Sequence, residues 1–124
     1  MIYLDTHVAV WLYQGEIDLI SQAAQELIEA DEILLSPAVQ LELEYLYDCK
    51  RTLSDARKIV EVLERDFGAK VCDLPFPDVV STALEAKWTR DPFDRLIVAQ
   101  ARINSSPLLT KDRVIRKHYS GAVW

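Results

Sequence analysis

The chain is 124 residues long, half of them hydrophobic and 27% charged, with a net charge of -6, so it is expected to form a single domain spanning residues 1–124 with a core of useful size. Glycines only at 15, 68 and 121 rule out the glycine-rich loops of nucleotide-binding folds, and no apolar run nears the ~20 residues of a membrane span. The amino end lacks the basic start and small-residue cleavage site of a signal peptide, which points to a cytoplasmic protein, and Cys49 and Cys72 match no metal or redox spacing and read as buried free thiols.

Residues 2–4, Ile-Tyr-Leu, have the look of an inner strand, closed by Asp5. Thr6 is suited to cap a helix carrying Val8, Val10, Trp11 and Leu12 and ending near Gly15. A second helix begins at Ser21, with Ala23, Ala24, Leu27 and Ile28 on one side. Residues 33–35 form the next strand candidate. Ser36 and Pro37 then start a long helix running to about Cys49.

Ser54 is read as the cap of a further helix with Ile59, Val60, Val62, Leu63 and Phe67 on its buried stripe and Gly68 at its end. Residues 69–74 alternate as a strand does, Pro75 and Pro77 break the pattern, and a helix is expected over about 78–87. Asp91 followed by Pro92 is a strong helix start, and from Leu96 to Ile103 the apolar residues cover more than one face, so this helix should be well buried. Ser105, Ser106 and Pro107 end it. Residues 107–110 read as an inward strand, Asp112 leads into a short helix, and residues 122–124 add an edge strand. The order β-α-α-β-α-α-β-α-α-β-α-β predicts a three-layer α/β/α sandwich with a mainly parallel central sheet.

Four acids stand out in this scheme. Asp5 falls at the carboxyl end of a strand that should be central, which is where open α/β sheets bind ligands, although turn and cap roles also suit an aspartate there. Glu42 shares a helix face with Ala38, Val39 and Leu46, whereas Glu44 lies about 200° away. An acid on an apolar face needs an arginine, a metal ion or a wet cleft, and the spacing is equally compatible with a glutamate reaching solvent from the stripe's edge. Asp94 lies in a first helical turn and Asp112 just past a strand, positions that capping alone would explain. The charge distribution adds to the pattern. Residues 1–86 hold 17 acids against 6 lysines and arginines, and residues 87–124 hold 3 acids, Asp91, Asp94 and Asp112, against 8. A basic surround with acids at its centre suits a polyanion held over a metal ion.

The segments IYLDTHVAVWL, LSPAVQLELEYL, RDPFDRLIVAQA and PLLTKDR, in that order and over nearly the whole chain, resemble the successive motifs of PIN-domain ribonucleases, in particular the VapC-like toxins of toxin-antitoxin pairs. The resemblance implies that Asp5, Glu42, Asp94 and Asp112 form an acidic catalytic quartet. Asp91 would be a helper, and Thr6 and Thr110 would set hydroxyls beside the acids. It also implies an RNA substrate, a VapB-like antitoxin and a homodimer. Pro37 and Gln40 depart from the small or polar residues usual at their positions, and Glu44 offers a second glutamate near Glu42.

The chemistry of such a quartet can be argued from the residues. Two carboxylates ~5 Å apart at an effective dielectric of ~20 repel by about 3 kcal/mol, so four of them demand protons or a cation. Oxygen donors with no cysteine or paired histidine favour Mg2+ or Mn2+ over zinc. Asp5, Asp94 and Asp112 are the expected metal ligands, with Glu42 holding or activating water for metal-dependent hydrolysis of RNA phosphodiester bonds. His7 and His118, isolated in sequence, read as packing or surface histidines.

A receiver-like domain would want adjacent acids after the first strand, and a haloacid-dehalogenase-like phosphatase an aspartate at the position of His7. The rival of a different class is a protein-binding module that keeps the fold with a weak or idle metal site. It draws on the aromatic residues Trp11, Tyr13, Tyr45 and Tyr47 on two helices.

Overall fold

A computed structural model describes residues 1–124. Its first strand, β1 (Ile2–Leu4), is buried at every position, as a strand covered on both faces must be. Then follow α1 (Thr6–Gln14), a 3-10 turn (Ile17–Leu19), α2 (Gln22–Ala30), β2 (Ile33–Leu35), α3 (Pro37–Asp48), α4 (Ala56–Phe67), β3 (Lys70–Val71), α5 (Phe76–Ala83), α6 (Pro92–Ile103), β4 (Leu108–Leu109), α7 (Arg113–His118) and β5 (Ala122–Val123). The strands form one sheet in the order β3-β2-β1-β4-β5, and every pairing is parallel. This is the three-layer α/β/α arrangement expected from the alternation of elements, with β1 at its centre.

Side chains at the element ends explain where most of the helices begin. Ser21 Oγ accepts from Ala24 N and Ser36 Oγ from Ala38 N, and Asp91 and Pro92 start α6 as their sequence implies. Gly15 and Gly68, at φ 73° and 67°, close α1 and α4 in the left-handed conformation that a Cβ would strain. The core is continuous, with Ile2, Tyr3, Leu4, Leu35, Leu43, Ile59, Leu63, Ile97, Leu108 and Leu109 fully buried. In α6 five consecutive residues from Ile97 to Ala101 are buried, so this helix is enclosed as its composition suggests.

Several sequence expectations are corrected. Asp5, not Thr6, caps α1, and Asp55, one residue after Ser54, caps α4 through Lys58 N. The strand read over residues 69–74 shrinks to Lys70–Val71. Pro75 and Pro77 do not simply break the chain: Pro77 fits the opening turn of α5, where its missing amide hydrogen has no partner to lose. That helix therefore starts at Phe76 and is over by Ala83. Phe67 and Cys49 are exposed rather than buried; Phe67 is the last residue of α4 and Cys49 follows the last residue of α3. Cys72 is buried as expected, with its Sγ 3.0 Å from Tyr3 Oη.

Leu109→Ala, which opens a void in β4 between β1 and β5, is expected to lower stability by about 2 to 5 kcal/mol. Leu53, 99% exposed, should tolerate the same change within ~0.5 kcal/mol. Urea denaturation of the two variants beside the parent chain measures both.

Candidate active site

The site is assembled at the carboxyl ends of neighbouring parallel strands. Asp5 leaves β1 and is only 4% exposed. Its Oδ1 accepts from Thr6 N at 2.8 Å, and its Oδ2 accepts from Thr110 Oγ1 at 2.6 Å. Asp5 thus caps α1 with one oxygen and meets the Thr110 hydroxyl with the other. Thr110, fully buried past the end of β4, also accepts from Asp112 N at 3.0 Å. A single hydroxyl therefore ties the two strand ends and two of the acids together.

Asp112 caps α7, with Oδ1 accepting from Val114 N and Ile115 N at 2.8 and 3.0 Å. Its second oxygen takes no part in the cap. Asp91 does the same for α6, accepting from Phe93 N and Asp94 N, and this cap holds Asp94 in the first turn. Asp94 is half-buried. Burial first, then the charges of Asp91, Asp5, Asp112 and Glu42, raise its pKa to about 7, and no hydrogen bond counters them.

Glu42 projects from α3 and is also half-buried. The Thr6 hydroxyl donates to its Oε1. Burial pushes its pKa up, the Thr6 bond works against that, and the charges of Asp5 and Asp91 add to it. Glu44 has separate work: its Oε2 accepts from Ala56 N at 3.0 Å at the start of α4. The nearby second glutamate is a structural clamp, and Glu42 alone faces the other acids.

The structure thus brings Asp5, Glu42, Asp91, Asp94 and Asp112 within electrostatic reach of one another, with Thr6 and Thr110 between them. None of these carboxylates pairs with a lysine or arginine; the ion pairs of the chain join Met1 to Asp31, Arg65 to Asp66 and Lys70 to Glu32. The one basic neighbour is His7, with Nδ1 3.6 Å from Asp5 Oδ2. Its Nε2 accepts from Lys111 N at 3.2 Å, which leaves the proton of a neutral ring on Nδ1, facing the acid. The sequence suggests a packing or surface role for His7; its place beside Asp5 is local, whereas the Lys111 contact, 104 positions away, leaves no local signal. His118 is a surface residue as expected, stacked on Trp88 at 5.2 Å.

All-oxygen donors, partly desolvated and without a cation of the protein's own, fit a hard divalent ion such as Mg2+ or Mn2+. No three of the chain's His, Cys, Asp and Glu side chains are drawn into closed ligand geometry.

Comparison with known proteins gives a consistent result. A family model described as PIN domain matches residues 2–120. The chain is 33% identical over 120 residues to Ribonuclease VapC22 of Mycobacterium tuberculosis, covering 94% of this chain and 91% of that one. Among solved structures it is similar to a toxin-antitoxin complex from Klebsiella pneumoniae, with a TM-score of 0.68, 15% identity and coverage of 100% of this chain and 97% of the other. It is also similar to VapBC2 from Rickettsia felis bound to a DNA fragment from their promoter, with a TM-score of 0.63, 16% identity and coverage of 99% and 96%. At these identities the two structures speak to the fold alone.

Thr110→Val leaves Asp112 N without its acceptor and Asp5 Oδ2 without its donor. A loss of about 1 to 3 kcal/mol in urea denaturation is expected, most of it restored by Thr110→Ser. For Asp94 the folded pKa lies above the ordinary value of 3.8. Its carboxyl therefore leaves stability unaffected below about pH 4, erodes it as pH rises towards about 7, and exerts its full effect above that. Asp94→Asn should accordingly melt with the parent near pH 4 and above it near pH 8, by about 3 to 6 °C if screening holds the effect near ~1 kcal/mol. Thermal melts in EDTA across that range test the sign.

Proposed function

This chain belongs to the PIN-domain family, and on that footing we propose that it is an endoribonuclease dependent on Mg2+ or Mn2+, the toxin of a VapBC-like pair. The observation that carries the reading is the group of acids gathered around Asp94 near the ends of β1 and β4, whose charges raise the Asp94 pKa and which no lysine or arginine pairs with. A structural cluster of that kind would be expected to recruit arginines, of which the last third of the chain has several to offer.

Asp5, Asp94 and Asp112 are the residues to hold the ion, each with a carboxylate oxygen not committed to capping its own helix. When bound, the ion supplies charge neutralisation at the scissile phosphate and acidifies water. The remaining work falls to the chain. Thr110 fixes the rotamer of Asp5 from β4, and Thr6 steers Glu42 inward. Glu42, its basicity raised by burial and by Asp5, is suited to accept a proton from the attacking water. Asp91 organises the first turn of α6 and adds to the local negative potential. Exposed basic residues around the acids, among them Lys111 and Arg113, suit an RNA strand.

As partners we infer a VapB-like antitoxin and a second copy of the chain in a homodimer, in the cytoplasm. The curated relative carries the name ribonuclease, and both structural relatives come from toxin-antitoxin assemblies. No helix of the chain is long and apolar enough to cross a membrane. The alternative, a PIN-fold protein-binding module with an idle metal site, draws on Leu41, Tyr45 and Tyr47, which α3 leaves exposed.

Cleavage of RNA by the purified protein separates the two readings. With Mg2+ or Mn2+ the parent should cut and Asp5→Asn should be slower by at least ~100-fold. EDTA should abolish cutting. Induction of the parent in a bacterial host should arrest growth, with discrete new RNA ends, and Asp94→Ala should not. Equal cutting by Asp5→Asn would remove the proposal.

A further inference from the structure

The carboxyl edge of the sheet carries a second group of residues that the hydrolytic chemistry does not use. β5 is the edge strand, paired with β4 in the register Leu109↔Val123, and Val123 O accepts from Thr110 N at 3.2 Å. Trp124 therefore leaves the sheet beside Thr110, two strand spacings or ~10 Å from Asp5. Its indole meets that of Trp11 in α1 with ring centroids 5.9 Å apart, and Trp11 meets His7 edge-on at 5.0 Å. His7 in turn lies against Asp5. A path of partly exposed rings thus runs from the acid to the edge of the molecule.

Cations line the same path. Lys111 Nζ lies 6.0 Å from the Trp11 ring centroid. Beyond Trp124 a shallow cavity of about 500 Å³ is lined by Arg113, Arg116, Lys117, Ala122, Val123 and Trp124, with no acid among them. Ordinary packing explains part of this, since Trp11 and Trp124 rest on the core, and the dipole of α7 favours cations in its last turn, where Arg116 and Lys117 lie. Neither reason applies to Arg113, which occupies the first turn of α7 where the dipole disfavours a cation, nor to Lys111 beside the partly exposed indole of Trp11.

We propose that this strip is a subsite for single-stranded RNA, in which bases stack on Trp11 and Trp124 while Lys111, Arg113, Arg116 and Lys117 hold the flanking phosphates. Aromatic platforms interleaved with cations bind single strands of any sequence, because every base has a face to stack and every nucleotide a charge. The strip seats the strand a few nucleotides from the bond over Asp5 and so acts on substrate binding rather than on the chemical step. It rests on the ribonuclease reading for what happens at Asp5, while binding to the strip can be measured without it.

The test is fluorescence anisotropy of a labelled single-stranded RNA of ~10 nucleotides in EDTA, beside a matched abasic sugar-phosphate strand and an acidic peptide of equal charge. Trp124→Leu should weaken RNA binding about tenfold, and Trp124→Phe should restore most of it. The abasic strand should bind the parent weakly and not distinguish it from Trp124→Leu. Lys111→Gln, at an exposed position where folding is not at stake, should lower the slope of log affinity against log salt by about 0.7. With Mg2+ or Mn2+, Trp124→Leu should raise KM by the same factor and leave kcat unchanged. Parent-like RNA binding by Trp124→Leu, or equally tight binding of the abasic strand or the acidic peptide, would overturn the subsite. Failure of the parent to cut RNA, with these binding differences intact, would instead remove the ribonuclease reading and leave the subsite standing.

Discussion

Asp94 holds a half-buried carboxyl among four other acids, and none of the five forms an ion pair with a lysine or arginine. Burial alone would raise its pKa; the company of Asp91, Asp5, Asp112 and Glu42 carries it to about 7. Such an arrangement opposes folding at neutral pH and persists only because the surrounding frame is rigid enough to impose it. The parallel sheet supplies that frame. β1 and β4 are central, fully buried strands, and where they end the chain must turn into helices whose first amides need acceptors.

Aspartates meet that need, and Asp5 and Asp112, at the ends of β1 and β4, each keep an oxygen free of the cap. Asp112 spends one oxygen on the amides of α7, and Asp5 spends one on Thr6 N and receives the Thr110 hydroxyl on the other. Capping a helix and standing in the cluster of acids are therefore compatible for these residues. A cap fixes the position of a carboxylate to within the geometry of a hydrogen bond, which is also what a metal ligand or a water-binding acid requires. Asp91 serves α6 in the same way, holding Asp94 N in the first turn and setting its charge beside the Asp94 carboxyl. Thr110 holds the arrangement together, because its hydroxyl donates to one acid and accepts from the backbone of another.

The same frame organises the surroundings. β5 pairs beside β4 and ends level with it, so Trp124 emerges next to the threonine that holds Asp5. α1 brings Trp11 and His7 to the same edge from the other side. Acids at the centre and aromatic and basic residues at the rim follow from one fact: parallel strands end at a common level, and whatever comes after them is gathered there.

Much of this was legible in the residues themselves. The alternation of apolar runs, with cap residues and prolines at Ser21, Ser36 and Asp91, determined the order of strands and helices and hence a parallel three-layer fold, because local hydrogen-bonding needs are written locally. The four motif segments identified the family for the same reason, since each is a short run of adjacent residues. Sequence could not choose between the cap and site readings of Asp5 and Asp112, nor between Glu42 and Glu44, because each choice turns on a partner far along the chain. Only the tertiary structure shows the partners each of them meets: Thr110 reaches Asp5 across 105 positions, Thr6 reaches Glu42 across 36, and Glu44 turns away to Ala56 N. The boundaries of α5 and β3 and the exposure of Phe67 and Cys49 were settled in the same way, by what packs against an element rather than by what it contains.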